Sequence, residues 1–283
     1  MLSAYSFAIG VEQKRFPYEA SIKSALAIAD EFCLICDPEY DNPEIFISID
    51  PRVKLIETKI DFEWDFFSRL LTEARRTCSG DWCLLRPLDE VFHENDIDIL
   101  DEEISDATDA GIEVIRLNRM DLTSYKRITY AKSKKSFMQY ITQNKPYISH
   151  KTSDYMVATQ EAELWNGKYL LKEYDEISYH DDRTKAWYCP NNFLNSKVPL
   201  WHYSYFNLSR KLQTNWSAYC RRIWGQNPGL TLSELETIFK EESIIDREYA
   251  KWAQKQQLDS GDWVKQELQH PAWVEDWVEE MII

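Results

Sequence analysis

The sequence predicts an α/β fold: a mostly parallel central sheet flanked by helices, with a C-terminal helical extension. Three observations lead there. Short apolar runs alternate four times with stretches whose apolar residues recur at helical spacing, the pattern of parallel strands joined by right-handed crossovers. The fourth run, Trp82 to Leu85, is apolar at every position, as a strand covered on both faces is. That run breaks at Pro87 and delivers Asp89, Glu90, His93 and Glu94 within a few residues. Open α/β sheets place ligand chemistry at this carboxyl edge.

Taken in order, Ala4 to Ile9 forms the first strand, released at Gly10. Phe16-Pro17 opens a helix, since proline is tolerated in a first turn, and Ile22, Ala25, Leu26 and Ala29 give it one apolar face. Phe32 to Cys36 is the second strand. The segment Asp37-Pro38-Glu39-Tyr40-Asp41-Asn42-Pro43 is dense in turn formers. A short helix through Ile45 to Ile49 leads past Pro51 to a third strand, Val53 to Glu57. A longer helix carries Trp64, Phe67, Leu70, Leu71 and Ala74 and ends in the small residues Thr77 to Gly80, ahead of the fourth strand. The acidic stretch from Asn95 to Asp109, with Ile97, Leu100 and Ile104, predicts a solvated surface helix, and Gly111 to Leu117 a further strand.

From Asn118 to Asn195 the chain has mixed polarity and no clear period. Val198 to Tyr205 is an apolar strand-like run holding His202, which by itself reads as a core histidine. A stretch rich in basic and aromatic residues, including Arg221 and Arg222, follows (a helix in the family resemblance given below), then the breaker cluster Gly225 to Gly229 and an acidic amphipathic helix from Thr231. At the end, Trp273 and Trp277 share one helix face, suited to packing on the main domain.

Asp, Glu and His after a strand are ligand types for a divalent cation, although an acidic turn in solvent has the same composition. The wording of the segment narrows the choice. Gly80-Asp81-Trp82, a short apolar run, then Asp89-Glu90-Val91-Phe92-His93-Glu94 resembles the metal-site segment of family 2 glycosyltransferases of the GT-A fold. The likeness is to the branch, common in bacteria and their viruses, where the strand ends in (Asp or Gln)-Ala-Asp-Glu followed by a His-Glu pair. Tyr5-Ser6-Phe7, Pro17 to Leu26 and Ala29-Asp30-Glu31 resemble the opening of the same branch. Pro87 stands where the family has an acid or amide, and Ile9-Gly10 where it often has Arg-Asn.

The resemblance implies a GT-A-like nucleotide-diphospho-sugar transferase fold over residues 1–225, with a nucleotide-sugar-binding half (1–117) and an acceptor half (118–225), and a helical extension over 226–283. It implies a hexosyltransferase-type enzyme that moves a sugar from a nucleotide-sugar donor to a saccharide or other hydroxyl acceptor. Asp89 and His202 would hold Mn²⁺ or Mg²⁺, with Glu90 and His93 as further contributors. Asp41, or Asp37 by the other spacing, would contact the nucleoside, and Arg221 and Arg222 the diphosphate. Glu173, Asp175 and Glu176 are the general-base candidates for an inverting transfer. The departures at Pro87, Ile9 and Gly10 carry the alternative, a non-catalytic GT-A-like relative that serves as a sugar-binding or assembly protein.

Composition excludes other classes. A formal charge of -15 over 283 residues lacks the basic footprint that nucleic acid or an anionic membrane needs. No window approaches the roughly 18 apolar residues of a membrane span, and MLSAYSFAIGVEQKR lacks the basic start of a secretory signal. The six cysteines do not form a disulfide framework in a chain this long. Cys33 and Cys36, three apart on a strand, face opposite ways and do not share a zinc ion. A reducing, cytoplasmic compartment is expected. Dinucleotide, P-loop, zincin and nucleophile-elbow fingerprints are missing from the sequence.

Overall fold

The computed structural model describes residues 1–61, 66–122, 128–131, 137–146, 148–150, 156–158, 186–187, 193–203, 263–266 and 269–282. Its first half alternates as the sequence predicts: β1 (Leu2–Ala8), α1 (Tyr18–Leu26), β2 (Glu31–Cys36), α2 (Glu44–Ile47), β3 (Val53–Glu57), α3 (Phe66–Arg76) and β4 (Trp82–Leu85). A two-residue strand β5 (Glu90–Val91), helix α4 (Ile97–Asp109) and β6 (Val114–Asp121) follow. Then come β7 (Ile128–Ala131), β8 (Phe137–Gln143), β9 (Ile148–His150), β10 (Met156–Ala158), β11 (Ala186–Trp187), β12 (Phe193–His202), β13 (Trp263–Gln266) and α5 (Glu275–Ile282). The expected helices around Arg221 and from Thr231 lie outside the described residues.

The local reasons are legible. In α1, Ile22, Ala25 and Leu26 are buried while Glu19 and Lys23, one turn apart, pair at 2.5 Å on the exposed side. In α3, Phe66, Leu70, Leu71 and Ala74 repeat at helical spacing and are all buried. After α3 the chain crosses β1 closely at Gly80, where an added Cβ would lie 2.7 Å from Ser3 Oγ and 2.8 Å from the Met1 carbonyl. Only glycine fits such an approach. β2 and β4 are buried at every residue, which explains their continuous apolar runs. Cys33 and Cys36 are both buried and both free.

The central sheet has eight strands in the order β3-β2-β1-β4-β8-β6-β12-β5. The pairs β3/β2, β2/β1, β1/β4 and β6/β12 are parallel, while β4/β8, β8/β6 and β12/β5 are antiparallel. β4 is therefore interior, as expected, but it is parallel to a neighbour on one side only. The sequence gives little sign of β8, because Tyr140, Ile141 and Thr142 are consecutive and all buried, so polarity does not alternate along the strand. Among the described residues, two small antiparallel sheets, β11-β10-β9 and β13-β7, are hydrogen-bonded separately from the eight strands.

One expectation needs correction. The acidic helix α4 is not simply solvated: Leu100, Glu103 and Ala107 are buried. Glu103 accepts hydrogen bonds from Ser196 Oγ and from the Lys197 amide (2.9 Å), which clamps the irregular middle of β12. A carboxylate with two such donors can sit inside. At the end of the chain, Val274 and Val278 pack with Val91, Trp201 and Tyr203, and Trp273 and Trp277 lie against that cluster.

Candidate functional site

The chain leaves β4 through Arg86 and Pro87 and turns, so that Asp89 sits beyond the carboxyl end of an interior strand. β5 then pairs antiparallel with the last residues of β12, with Trp201 opposite Val91 and His202 opposite Glu90. Opposed residues of an antiparallel pair share a face, which brings His202 to the carboxylate turn. The His202 Nε2 atom is 3.4 Å from Asp89 Oδ2, and both residues are buried. The frame is fixed by backbone bonds. The Tyr203 amide donates to the Asp89 carbonyl at 2.7 Å, and the Leu122 amide donates to the His202 carbonyl at 2.9 Å.

Glu90 lies under this pair. It is 1% exposed, and Tyr140 donates its hydroxyl to Oε1 at 2.7 Å. Burial pushes its carboxyl up to about 7, against the pull of His202, Arg119 and Arg86 and with the like charge of Asp89 adding to the rise. Arg86 is also fully buried, with its guanidinium carbon 4.0 Å from the centre of the Phe92 ring and Nη2 at 3.4 Å from Ser24 Oγ. Burial lowers the Arg86 guanidinium to about 10, opposed by Glu90, Tyr140 and Asp89. The turn therefore has one carboxylate at its rim and a second, Glu90, held beneath it in a cationic and aromatic setting.

His93 takes another place. It is half-buried, its Nδ1 accepts from the Asn95 amide at 3.2 Å, and its ring lies 5.6 Å from that of Trp201. It thus caps the one-turn helix that precedes α4. Among the described residues no group of three or more His, Cys, Asp or Glu side chains has the geometry to hold a metal ion. At the turn, Asp89 and His202 are the carboxylate and imidazole that approach each other. Pro87 offers no side-chain ligand, and its carbonyl accepts from Ser21 Oγ at 3.0 Å.

Asp37 and Asp41, in the loop after β2, are buried at 3% and 4% and engaged by loop backbone. Asp37 accepts from the amides of Glu39 (2.9 Å) and Ile60 (2.7 Å). Asp41 accepts from Gly10 (2.5 Å) and Val11 (2.7 Å), and burial raises its carboxyl above the ordinary range despite those bonds. Gly10 has φ +62°, a conformation that glycine takes without strain, and the Asp41 carboxylate holds it there. These aspartates shape the loops after β1 and β2. Glu173, Asp175, Glu176, Arg221 and Arg222 lie outside the described residues.

Sequence reasoning missed Tyr140, Arg86 and the contacts of the chain end. Tyr140 falls in the stretch without a period. Arg86 carries a faint signal, a charged residue directly after four apolar strand residues. The Tyr203 hydroxyl meets His270 Nδ1 at 2.9 Å, and the Tyr203 and Trp277 rings meet edge-on at 5.4 Å, so residues 269–282 buttress the strand that carries His202. Nothing in the local sequence names that partner.

No protein-family profile matches the chain, and no curated protein matches it. Among solved structures, S. aureus TarS 1–349 aligns at 11% identity over 89% of this chain and 73% of its own, with a TM-score of 0.41. The same protein in complex with UDP-GlcNAc gives 11% identity, 88% and 72% coverage and a TM-score of 0.42. A nucleotidyl transferase from Methanothermobacter thermautotrophicus gives 14% identity, 50% and 70% coverage and a TM-score of 0.32. No helix among the described residues is long and apolar enough to cross a membrane.

Proposed function

We propose that the protein is a glycosyltransferase that uses a nucleotide-sugar donor and a divalent cation at Asp89 and His202. The observation that carries the reading is the approach of these two side chains to 3.4 Å at the carboxyl end of an interior strand. They are a carboxylate oxygen and an imidazole nitrogen, donors that suit Mn²⁺. Two protein ligands are sufficient where substrate phosphates and water complete the shell, as is common for Mg²⁺ sites. A bound Mn²⁺ or Mg²⁺ would offset the charge that develops on the departing nucleoside diphosphate.

In this reading the Asp89 carboxylate and His202 orient the diphosphate end of the donor. Glu90 stays behind them as a buried support, tied to Tyr140. The acceptor hydroxyl oxygen bonds to the anomeric carbon of the sugar as the bond from that carbon to the phosphate oxygen breaks. The hydroxyl proton passes to a carboxylate, with Glu173, Asp175 and Glu176 as candidates, and Arg221 and Arg222 as candidate diphosphate contacts. Asp41 and Asp37 act on the nucleoside through the loops they brace. The 1–225 and 226–283 division stands as part of the proposal. A second reading, sugar binding without transfer, is favoured by Pro87, whose ring stands where the family pattern expects a ligand or hydrogen-bonding side chain.

Thermal-shift titration with UDP-, GDP-, CMP- and dTDP-sugars, with and without Mn²⁺, tests the donor half of the proposal. A ligand at a hundredfold excess over its Kd stabilises the fold by about 2.7 kcal/mol. The expected result is a Mn²⁺-dependent shift with one nucleotide class, and a shift with none of them contradicts the reading.

A further inference from the structure

The segment that holds α5 touches several elements at the carboxyl edge of the sheet. The Ala272 amide donates to Glu94 Oε2 at 2.9 Å, a few residues beyond Asp89. Val274 and Val278 pack with Ala20 of α1, Val91 of β5, and Trp201 and Tyr203 at the end of β12. The Trp201 ring lies 5.6 Å from that of His93 and 6.1 Å from that of His270. From α5 itself, Trp277 Nε1 donates to the Arg15 carbonyl at 3.2 Å, in the loop between β1 and α1. One short segment thus joins that loop to the strand of His202 and to the turn after Asp89.

The second observation is the loop. Among the described residues Arg15 is the one non-glycine with a positive φ, at +52°. A residue with a Cβ adopts this left-handed backbone at a cost and keeps it where its surroundings hold it. The Asp41 carboxylate fixes the start of the loop through the Gly10 and Val11 amides. Inside it, the amides of Lys14, Arg15 and Phe16 donate to the carbonyls of Gly10 (2.9 Å), Glu12 (3.0 Å) and Val11 (3.0 Å). The Trp277 bond falls at the other end, on the strained residue. Glu12, Gln13 and Arg15 are exposed, so burial adds little there, and such a loop belongs to the readily opened part of a fold.

We infer that this segment is a clasp that keeps the loop after β1 in its closed form, with Trp277 as the positioning residue. The closed form is the one that receives the nucleoside end of the donor, a step that rests on the glycosyltransferase reading. Trp277 acts through the loop and not on the reacting atoms. Its ring is shared between two partners, meeting Tyr203 edge-on at 5.4 Å while its N–H meets Arg15. A shift of the His202 strand is therefore felt in the loop. By linkage, a ligand that needs the closed loop also tightens the clasp.

The test compares the full chain with Trp277→Phe, which keeps a ring against Tyr203 and removes the N–H donor, by hydrogen exchange without ligand. The expected result is exchange roughly fivefold faster at the Lys14, Arg15 and Phe16 amides, the scale of one lost hydrogen bond, while the β2 and β4 amides hold. In an Arg15→Gly background the same change has a smaller effect, because glycine takes the left-handed backbone without support. Unchanged exchange at the three amides, or an effect of equal size in both backgrounds, overturns the clasp whatever the protein binds. The donor step is read separately, by thermal-shift titration with Mn²⁺ and the nucleotide sugar that stabilises the wild type. There Trp277→Phe raises the half-effect concentration by roughly threefold or more, and an unchanged value overturns the donor role. A wild type that no nucleotide sugar stabilises contradicts the glycosyltransferase reading, and the exchange result then decides the clasp alone.

Discussion

Replacing Glu31 by Gln gives the sharpest test of how the sheet frame is held. Glu31 is 4% exposed, and its Oε1 accepts from Ser3 Oγ (2.5 Å), the Ser79 amide (2.7 Å) and Ser79 Oγ (2.9 Å), while Oε2 pairs with Lys54. One carboxylate thereby joins β1, β2, β3 and the approach to β4. Burial by itself raises its carboxyl, but the bonds from Lys54, Ser3 and Ser79 prevail and bring it from the ordinary 4.5 down to about 2. At 1.36 kcal/mol for each tenfold change in ionisation, that separation corresponds to about 3 kcal/mol. Lys54 is 58% exposed, so part of the attraction is screened, and roughly 2 kcal/mol is the expected effect. A carboxyl lowered in the folded state stabilises above its unfolded value and loses that contribution as pH falls through its folded value. Glu31→Gln is therefore destabilised by roughly 2 kcal/mol at neutral pH, and the deficit shrinks from pH 4.5 toward pH 2. Urea unfolding of both proteins at neutral pH and near pH 2.5 measures this directly. A deficit of equal size at both pH values would refute the reasoning, because it would place the effect in shape rather than charge.

Three further outcomes follow from the contacts. Gly80→Ala should cost about 2 kcal/mol or more in urea unfolding, since its Cβ would meet Ser3 and the Met1 carbonyl under 3.0 Å; a change under 0.5 kcal/mol would show that the crossing gives way easily. Asp41→Ala strands the buried amides of Gly10 and Val11 and should cost about 2–4 kcal/mol, with faster hydrogen exchange at those amides; unchanged exchange would contradict the loop role. Tyr203→Phe removes the bond to His270 and should cost about 1 kcal/mol while the Trp277 contact remains. A neutral result there would mean that the chain end is held by packing alone.

The sequence carried the first half of the fold well, because β1 to β4 and their helices obey single periods and end at recognisable breakers. It carried the second half poorly. β8 is covered along consecutive residues, including polar Thr142, and β12 is interrupted around Ser196 to Val198 where Glu103 enters from α4. Neither arrangement leaves an alternating trace. At the site, Asp89 was legible as a carboxylate after an apolar strand, whereas His202 by itself reads as a core histidine and is paired with Asp89 only through the family resemblance. Glu90 and His93 read as further contributors beside Asp89; the two-residue strand turns Glu90 inward to Tyr140, and His93 caps the following turn. The loop aspartates Asp37 and Asp41 were visible as turn residues, but their amide partners are set by chain crossings that no local pattern specifies.

The central claim is that Asp89 and His202 act together in metal-assisted sugar transfer. The direct measurement is turnover of the matching nucleotide sugar, as transfer or donor hydrolysis, by wild type, Asp89→Asn and His202→Ala, each with Mn²⁺ and with EDTA. Asp89→Asn keeps size and removes charge, so its stability should change by about 1 kcal/mol or less. The account predicts that wild-type turnover requires the cation and that Asp89→Asn lowers it by roughly a hundredfold or more, the scale of one lost electrostatic transition-state contact. His202→Ala should raise the Mn²⁺ concentration needed for half-maximal rate. Turnover that survives both EDTA and Asp89→Asn contradicts the account.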